Sequence, residues 1–334
     1  MKVTAFHVIR PEYEASQSTN LQWIIDAHVA CKDISEQEIK GRLSKIDTQI
    51  KNRSTPFEEV FRLWNLEMED KMIAYAKKSD RLFHAFYPAN SLMPEHLIHV
   101  TCTGYVSPSG AQKIAAIHSP KTIVTHAYHM GCYASLPALR MAKGFRSKVD
   151  IIHTEMCSLH LNPNNHSMEQ LVIQSLFADG FIKYSVVSET KEPHFVIEAL
   201  HEEIIPDTLH MMSWSVANSR FQMVLTKEIP VMLTKALHSF LANLSDELTG
   251  AYFAIHPGGP KIIQQIGKVL GLQSWQYAHS LQVLHDYGNM SSATLPHIWD
   301  RMLRDTNIPH NSKVISLAFG PGLSISGALF SKIS

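Results

Sequence analysis

The chain has 334 residues, 45% of them hydrophobic and 18% charged, which is enough to bury a large core and favours about two domains or one double domain. Its 30 lysines and arginines balance 30 aspartates and glutamates, so no broad basic surface for nucleic acid or an anionic membrane is expected. No run of about 18 apolar residues occurs, and residues 1–20 lack the long apolar segment of a signal peptide. We therefore expect a cytoplasmic protein without a membrane span.

The predicted elements begin with a helix over residues 57–78, where apolar side chains recur at helical spacing and Asp80 marks the end. After it, strand-like runs alternate with helix-like windows, which favours an α/β fold with a layered core. The predicted strands cover 97–103, 121–128, 149–156, 251–255 and 313–319, and the predicted helices cover 133–143 and 261–270. Clusters of Gly and Pro follow the last two strands, at 257–260 and 320–322, where loops of α/β folds tend to carry chemistry.

The cysteine content leaves room for a reactive thiol. Four cysteines are too few and too scattered for a disulfide scaffold, and none forms a Cys-x-x-Cys pair. Cys132 follows a predicted strand and Gly131, and it comes immediately before the helix predicted over 133–143. The unpaired N–H groups and the positive end of a helix favour thiolate over thiol and can hold an oxyanion. Cys132 is therefore a candidate nucleophile, although a free cysteine is more often a small buried residue.

Several histidines and one asparagine are candidates for chemistry. His126 and His129 precede Cys132 at three-residue spacing, but side chains at odd separations along a strand point to opposite faces, so we expect no metal site. His256 ends a predicted strand before a Pro-Gly-Gly-Pro turn, where an imidazole either projects into a cleft or supports the fold. Asn289 lies in a small-residue turn before a helix, where a carboxamide also serves as a cap.

Together these residues stand in four blocks that resemble the signature blocks of type III polyketide synthases, the chalcone and stilbene synthase family of the thiolase superfamily. The blocks are Gly-Cys-Tyr-Ala from position 131, Ile-His-Pro-Gly-Gly-Pro-Lys from 255, Tyr-Gly-Asn-Met-Ser-Ser-Ala from 287 and Phe-Gly-Pro-Gly-Leu from 319. They occur in the family's order, and the resemblance runs from residue 97 to the C-terminus. The block Glu-Met-Cys-Ser-Leu-His from 155 is similar to bacterial alkylpyrone and alkylresorcinol synthases.

The resemblance implies a thiolase-like αβαβα layered fold of two pseudo-duplicated halves, 1–190 and 191–334, with two mixed sheets around a central helix pair, in a homodimer. It also implies a catalytic triad of Cys132, His256 and Asn289. Cys132 would accept an acyl group from an acyl-coenzyme A thioester, with His256 as its ion-pair partner. His256 and Asn289 would stabilise the enolate formed when malonyl-coenzyme A loses carbon dioxide. No metal or other cofactor is implied beyond the coenzyme A thioester substrates.

Further residues around this triad carry over from the resemblance. Phe177 matches a gatekeeper between the coenzyme A tunnel and the cavity, and the second gatekeeper position falls on Met223, a departure that indicates a more pliable gate. Thr103 and Cys157 match positions that line the cavity.

The resemblance also implies contacts at the surface. Lys51 and Arg53 match a basic entrance that grips coenzyme A phosphates, although a lysine and an arginine in solvent would give the same pattern. Pro108 falls on a loop that reaches the cavity of the partner subunit in the family. The expected product is an alkylpyrone or an alkylresorcinol.

Two other interpretations stay open. A free-standing ketosynthase that joins two acyl chains bound to an acyl carrier protein would also explain why the region before the nucleophile is shorter than in the family. Ketoacyl synthase III enzymes, however, follow their histidine with Gln-Ala-Asn, whereas His256 is followed by Pro-Gly-Gly-Pro. A catalytically silent subunit should have lost a triad residue, and all three are present.

Overall fold

The alternation of strands and helices predicted from the sequence forms one nine-stranded sheet and two small hairpins in the computed structural model, which describes residues 1–245 and 248–334. The strands are β1 (Lys2–Ile9), β2 (Tyr13–Ser16), β3 (Asn52–Thr55), β4 (His96–Thr101), β5 (Ile123–Tyr128), β6 (Val149–Met156), β7 (Asp179–Val187), β8 (His194–Ile204), β9 (Met212–Val216), β10 (Phe221–Leu225), β11 (Tyr252–Ile255), β12 (Lys313–Gly320) and β13 (Ser324–Ile333). The helices are α1 (Gln17–Ala30), α2 (Glu36–Leu43), α3 (Val60–Leu63), α4 (Met68–Phe86), α5 (Gly110–His118), α6 (Ser135–Lys143), α7 (Met168–Leu176), α8 (Ile229–Leu244), α9 (Pro260–Val269), α10 (Ala278–Tyr287) and α11 (Thr294–Arg304). No helix within the described ranges is both long and apolar enough to cross a membrane.

The large sheet has two halves that are continuous with each other. Its strand order is β11-β12-β13-β8-β1-β7-β6-β4-β5, so the strands of the two halves of the chain lie on opposite sides of the β8–β1 pair. That antiparallel pair joins Lys2 to Val196 and Val3 to Phe195. The two separate sheets expected from the resemblance are thus joined along one edge, and the predicted boundary at residue 190 falls in the connection between β7 and β8.

The helices form three layers around these half-sheets. The central apolar cluster contains Leu139 of α6 and Trp299 of α11, both fully buried between the half-sheets. A second cluster packs α1, α4 and α5 against β4 and β6, and a third packs α8 and α9 against β11 and β12. Each half-sheet therefore has helices on both faces, as sheets with parallel strands require. The predicted five-layered α/β architecture is confirmed.

The helix predicted over residues 57–78 is wrong in its extent. The structure contains two helices there, α3 and α4, and the chain between them turns so that the Trp64 ring enters the core, where 2% of it is exposed. The Trp64 indole N–H donates to the Ser158 carbonyl at 3.0 Å, and its own carbonyl accepts from Lys71 Nζ at 3.0 Å. These tertiary contacts outweigh the helical spacing of the sequence.

Helix α4 also continues past the predicted end at Asp80, whose carboxylate pairs with Lys113 at 2.7 Å. The helix ends at Phe86 because Pro88 restricts Tyr87 to extended conformations. The other predicted strands and helices are present, with ends displaced by one or two residues.

Candidate active site

Cys132 lies in a tight turn between strand β5 and helix α6, as predicted. Gly131 in this turn has φ of 90°, and a Cβ added there would stand 2.6 Å from Pro321 Cδ, so the turn requires glycine. Helix α6 begins three residues after Cys132, at Ser135. The thiol is therefore close to a helix N-terminus and on the side of the chain that faces the loop after β12.

The environment of Cys132 opposes ionisation of its thiol. Burial raises the pKa of Cys132 to about 12, and hydrogen bonds from Ser291 and Asn289 counteract this rise only in part. The Sγ atom lies 3.9 Å from Ser291 Oγ, and part of the side chain stays accessible from a cleft. Burial therefore has a larger effect on the Cys132 pKa than the hydrogen bonds that favour the thiolate.

His256 lies immediately after β11, and its backbone N–H donates to the Leu317 carbonyl of β12 at 2.8 Å. The ring is 2% exposed, and neither nitrogen has a hydrogen-bond partner among the described residues. Burial lowers its pKa to about 3, so the imidazole is neutral. Burial thus disfavours the charged forms of both Cys132 and His256, and the ion pair between them stays a prediction.

Asn289 is fixed by the backbone on both sides. Its N–H donates to the Leu176 carbonyl at 2.9 Å, and its carbonyl accepts from Ala178 N at 2.8 Å. Its side-chain oxygen accepts from the Ser291 N–H at 2.9 Å, which assigns Oδ1 to that side of the amide. The Nδ2 group is therefore left to donate to other partners. A hydrogen bond from Asn289 is one of the contacts that favour the Cys132 thiolate.

A cleft of about 630 Å³, counted to its open mouth, lies over Cys132. Four of the predicted pocket residues line it together with the nucleophile: Thr103, Cys157, Phe177 and Met223. The structure thus brings these positions together, while their roles toward a substrate stay predictions. The hairpin of β9 and β10 forms one wall, where the indole N–H of Trp214 donates to the Cys102 carbonyl at 2.7 Å.

The two gatekeeper positions lie on opposite elements that are tied together. Phe177 ends α7, and Met223 lies on β10. Gln170 of α7 donates to the Met223 carbonyl at 3.0 Å, and Glu169 accepts from the Leu225 N–H at 2.5 Å. The position of β10 over the cleft therefore depends on α7.

Glu155 forms a buried network beneath the cleft that the sequence did not predict. Its carboxylate accepts from the Cys102 N–H and from Thr103 Oγ1, both at 3.0 Å, and from the Ser292 hydroxyl on its other oxygen. Burial raises its pKa, and these hydrogen bonds offset that rise only in part. The 155–160 block pointed to this segment of the chain, but only the structure shows that Glu155 joins the two halves of the site.

The predicted surface contacts have different environments. Lys51 is exposed, whereas Arg53 is 6% exposed and donates through Nη1 to the carbonyls of Gln174 at 2.7 Å and Phe177 at 2.8 Å. Arg53 therefore supports the gatekeeper backbone, and it is not extended toward solvent as the predicted phosphate contact requires. Pro108 lies in an exposed loop, and its contact with a partner subunit stays a prediction.

The histidines at 126 and 129 have separate partners, and His129 lies just beyond the end of β5, where its φ is 62°. His126 Nε2 lies 2.8 Å from Ser109 Oγ, and His129 Nε2 lies 2.8 Å from the Trp214 carbonyl. Among residues 1–245 and 248–334, no three His, Cys, Asp or Glu side chains are grouped as metal ligands.

Comparison with known sequences shows that the second half of the chain is similar to a known family. Residues 196–334 match the family model of chalcone and stilbene synthases, C-terminal domain. The probable polyketide synthase 1 of Dictyostelium discoideum is 30% identical over 260 residues, which are 71% of this chain and 8% of that protein. The bisdemethoxycurcumin synthase of Oryza sativa subsp. japonica is 26% identical over 259 residues, which are 70% of this chain and 64% of that enzyme. The chain spans less than two thirds of the length of each.

Solved structures share the fold over the whole chain. The C-terminal type III polyketide synthase domain of Steely1, a type I/III hybrid from Dictyostelium, has a TM-score of 0.88 at 23% identity. The match covers 100% of this chain and 99% of the Steely1 domain. The 1,3,6,8-tetrahydroxynaphthalene synthase of Streptomyces coelicolor A3(2) has a TM-score of 0.88 at 20% identity, with 100% of both chains covered. Residues 196–334 therefore match the chalcone and stilbene synthase family, and the chain as a whole has the fold of the type III polyketide synthases, as the resemblance in the sequence predicts.

Proposed function

We propose that this protein is a type III polyketide synthase that loads an acyl group on Cys132 and extends it with malonyl-coenzyme A. The observation that carries the proposal is the position of Cys132 at the floor of a cleft, beside Asn289, in a chain with this family match and this fold. His256 completes the set of residues as a buried imidazole without a partner in the described part of the chain.

Loading begins from a neutral thiol and a neutral imidazole. As the Cys132 sulfur attacks the thioester carbonyl, its proton passes to His256, whose ring nitrogens have free capacity. The tetrahedral intermediate then expels coenzyme A, which takes up the proton and leaves as a thiol. The product is an acyl thioester on Cys132, and the atoms and charges of the step balance.

Extension requires stabilisation of an enolate. Loss of carbon dioxide from the malonyl thioester places negative charge on its carbonyl oxygen, and N–H donors of Asn289 and His256 would stabilise that charge. The enolate carbon attacks the acyl carbonyl on Cys132, a carbon–carbon bond replaces the carbon–sulfur bond, and the sulfur leaves as a thiolate that takes up a proton from solvent. The side chains of Asn289 and His256 are held in place before the substrate binds, which lowers the free-energy cost of reorganising the site during the reaction.

The finer assignment is an acyl-coenzyme A starter with an alkyl chain and a pyrone or resorcinol product. The block around Cys157 motivates it, and the apolar wall of the cleft, which includes Ile173, Phe177 and Phe221, supports it. We assign the active form as a homodimer in the cytoplasm in which the Pro108 loop meets the partner subunit. A light-scattering mass of a single chain would contradict this assembly.

Intact-protein mass spectrometry with malonyl-coenzyme A and a panel of acyl-coenzyme A starters tests the function. The wild type and a Cys31→Ala control should gain an acyl group and release starter-dependent products, and Cys132→Ala should do neither. Loading without extension, restored by malonyl groups on an acyl carrier protein, would favour the free-standing ketosynthase. Full activity of Cys132→Ala would overturn the proposal, and a wild type without activity would favour a supporting subunit.

A further inference from the structure

A buried histidine that the proposed reaction does not use lies behind the cleft over Cys132, which we call the reaction cleft. His153 is on β6, two residues before Glu155, and its side chain is fully buried. Its Nδ1 atom lies 3.0 Å from Ser292 Oγ, and its Nε2 atom lies 3.2 Å from the Tyr184 hydroxyl. Ser292 belongs to the half of the chain that carries Asn289. The contact of His153 with Ser292 therefore joins the two halves, as Glu155 does.

The hydrogen bonds assign the proton of the His153 ring to Nδ1. Burial lowers the pKa of His153 to about 3, so the ring is neutral and has one N–H. The Ser292 hydroxyl donates to Glu155 Oε1, which leaves the Ser292 oxygen to accept from His153 Nδ1. The Nε2 atom then accepts from the Tyr184 hydroxyl. These four side chains form one chain of donors that runs from Tyr184 to Glu155, in which each hydrogen bond strengthens the next.

The residue before Ser292 has a strained backbone. Ser291 has φ of 51°, in the left-handed region that residues other than glycine rarely adopt. Such a conformation persists only where the surrounding contacts hold it. Ser292 is held on Glu155 Oε1 by its hydroxyl and by its N–H at 3.3 Å, and on His153 by its oxygen. These contacts anchor one end of residues 289–292, which we call the Asn289 turn.

The orientation of the Asn289 amide depends on this turn. Its Oδ1 atom accepts from the Ser291 N–H at 2.9 Å, so the amide moves with that N–H if the turn relaxes. Its Nδ2 group is a proposed donor to the enolate, and such a donor is effective only when it is held at the developing charge. Loading uses the Cys132 thiol and the His256 ring, and it therefore depends less on the Asn289 turn.

We propose that His153 is a positioning residue for the extension step, which acts through Ser292 to hold the Asn289 turn in the conformation that directs the amide to the enolate. The inference rests on the proposed function and adds to it a residue that does not touch the substrate. His153 is a donor from the core to the turn, and its contribution is the Nδ1–H bond to Ser292.

Malonyl-coenzyme A without a starter isolates the step that depends on Asn289. The bond between the carboxylate carbon and the methylene carbon breaks, its electron pair passes into the enolate, and carbon dioxide leaves. The enolate then takes up a proton from solvent and becomes acetyl-coenzyme A, which mass spectrometry quantifies. Loading is measured separately as the acyl mass that Cys132 gains from hexanoyl-coenzyme A.

Two substitutions at position 153 separate the donor from the ring. His153→Phe keeps a ring and removes the N–H, whereas His153→Asn removes the ring and keeps an N–H donor on Cγ, where Nδ1 is attached. We expect His153→Phe to lower the kcat for acetyl-coenzyme A formation about tenfold, with the KM for malonyl-coenzyme A and the loading rate within about threefold of the wild type. His153→Asn should retain the wild-type kcat within about threefold.

Ser292→Ala tests the route from His153 to the turn. It should lower the kcat as much as His153→Phe does, and the double variant should lose no more than either single variant, because both remove the same contact. His194→Phe is the matched control, since this buried ring at the start of β8 bonds to the Glu192 carbonyl at 2.8 Å and does not line the reaction cleft. It should leave the kcat unchanged.

The remaining outcomes overturn the inference or the function beneath it. Wild-type kcat in His153→Phe, or an equal loss of kcat in His153→Asn, would show that His153 only fills the core. A parallel loss of loading and of kcat would do the same, as would losses that add in the double variant. If the wild type neither loads an acyl group nor decarboxylates malonyl-coenzyme A, the proposed function fails and the inference fails with it.

Discussion

At the scale of single residues, burial sets the charge of the two groups nearest the proposed chemistry. The helix N-terminus after Cys132 predicts a thiolate, but burial raises the pKa of the thiol to about 12. Burial also lowers the pKa of His256 to about 3. Motifs single out both residues as candidates, whereas the effect of burial on their pKa values depends on packing that no local pattern contains.

This balance predicts the pH dependence of alkylation at Cys132. Because the thiol pKa is raised, the thiolate is a minor species at neutral pH. While the pH stays below the pKa, the thiolate fraction grows about tenfold for each unit by which the pH rises. The rate of Cys132 carboxamidomethylation by iodoacetamide, followed by peptide mass spectrometry, should therefore rise without a plateau from pH 7 to pH 10. A plateau below pH 8 would show an ion pair with His256 and would contradict this prediction.

Arg53 and Glu155 show where residue-level prediction reaches its limit. Both stand in segments that the sequence singled out, yet the partners of Arg53 are the carbonyls of Gln174 and Phe177, far along the chain. Glu155 likewise accepts hydrogen bonds from residues of both halves. A sequence motif identifies such a residue, but only the fold determines which distant backbone groups it satisfies.

At the scale of elements, the five strands predicted from the sequence are all present, whereas the one helix predicted in the N-terminal region is wrong in its extent. Strand β6 is buried along its whole length and was predicted with its observed ends, because a short apolar run between breakers has few other solutions. The segment around Trp64 has helical spacing, yet it bends between α3 and α4 to bury the indole and bond Lys71. Periodicity reports which side chains are apolar, and tertiary contacts decide whether the backbone stays helical.

Helix α7 is the element that holds β10 over the reaction cleft, and Glu169 provides one of the two bonds. Glu169→Ala removes the acceptor of the Leu225 N–H, a hydrogen bond to a charged group that is worth about 1.5–3 kcal/mol. Amide exchange in the peptide that contains β10 should therefore become at least tenfold faster in hydrogen-exchange mass spectrometry. Glu36→Ala, which removes only the exposed pair with Lys40 on α2, is the matched control, and equal exchange in both variants would exclude this role of α7.

At the scale of the whole molecule, the two halves of the chain contact each other at a glycine that packs beside the nucleophile. The resemblance predicted which half carries each triad residue, but it did not predict that the half-sheets are continuous through β1 and β8. Nor did it predict how closely the loop after β12 approaches the turn of Cys132. Contacts of this kind join residues that are distant in sequence, so no window of the chain contains the information.

Gly320 tests this contact between the halves. A Cβ at Gly320 would lie 2.1 Å from Cδ1 of Tyr133, the residue after Cys132, so alanine must displace the aromatic ring and the turn beside it. We expect Gly320→Ala to lower the free energy of unfolding by about 1–3 kcal/mol and to reduce acylation of Cys132. Gly41→Ala is the matched control, since nothing lies within 4 Å of its added Cβ in helix α2 and alanine there should stabilise the protein by about 0.5–1 kcal/mol. Urea denaturation measures both variants, and a Gly320→Ala protein as stable as the wild type would mean that the halves separate at this contact without cost.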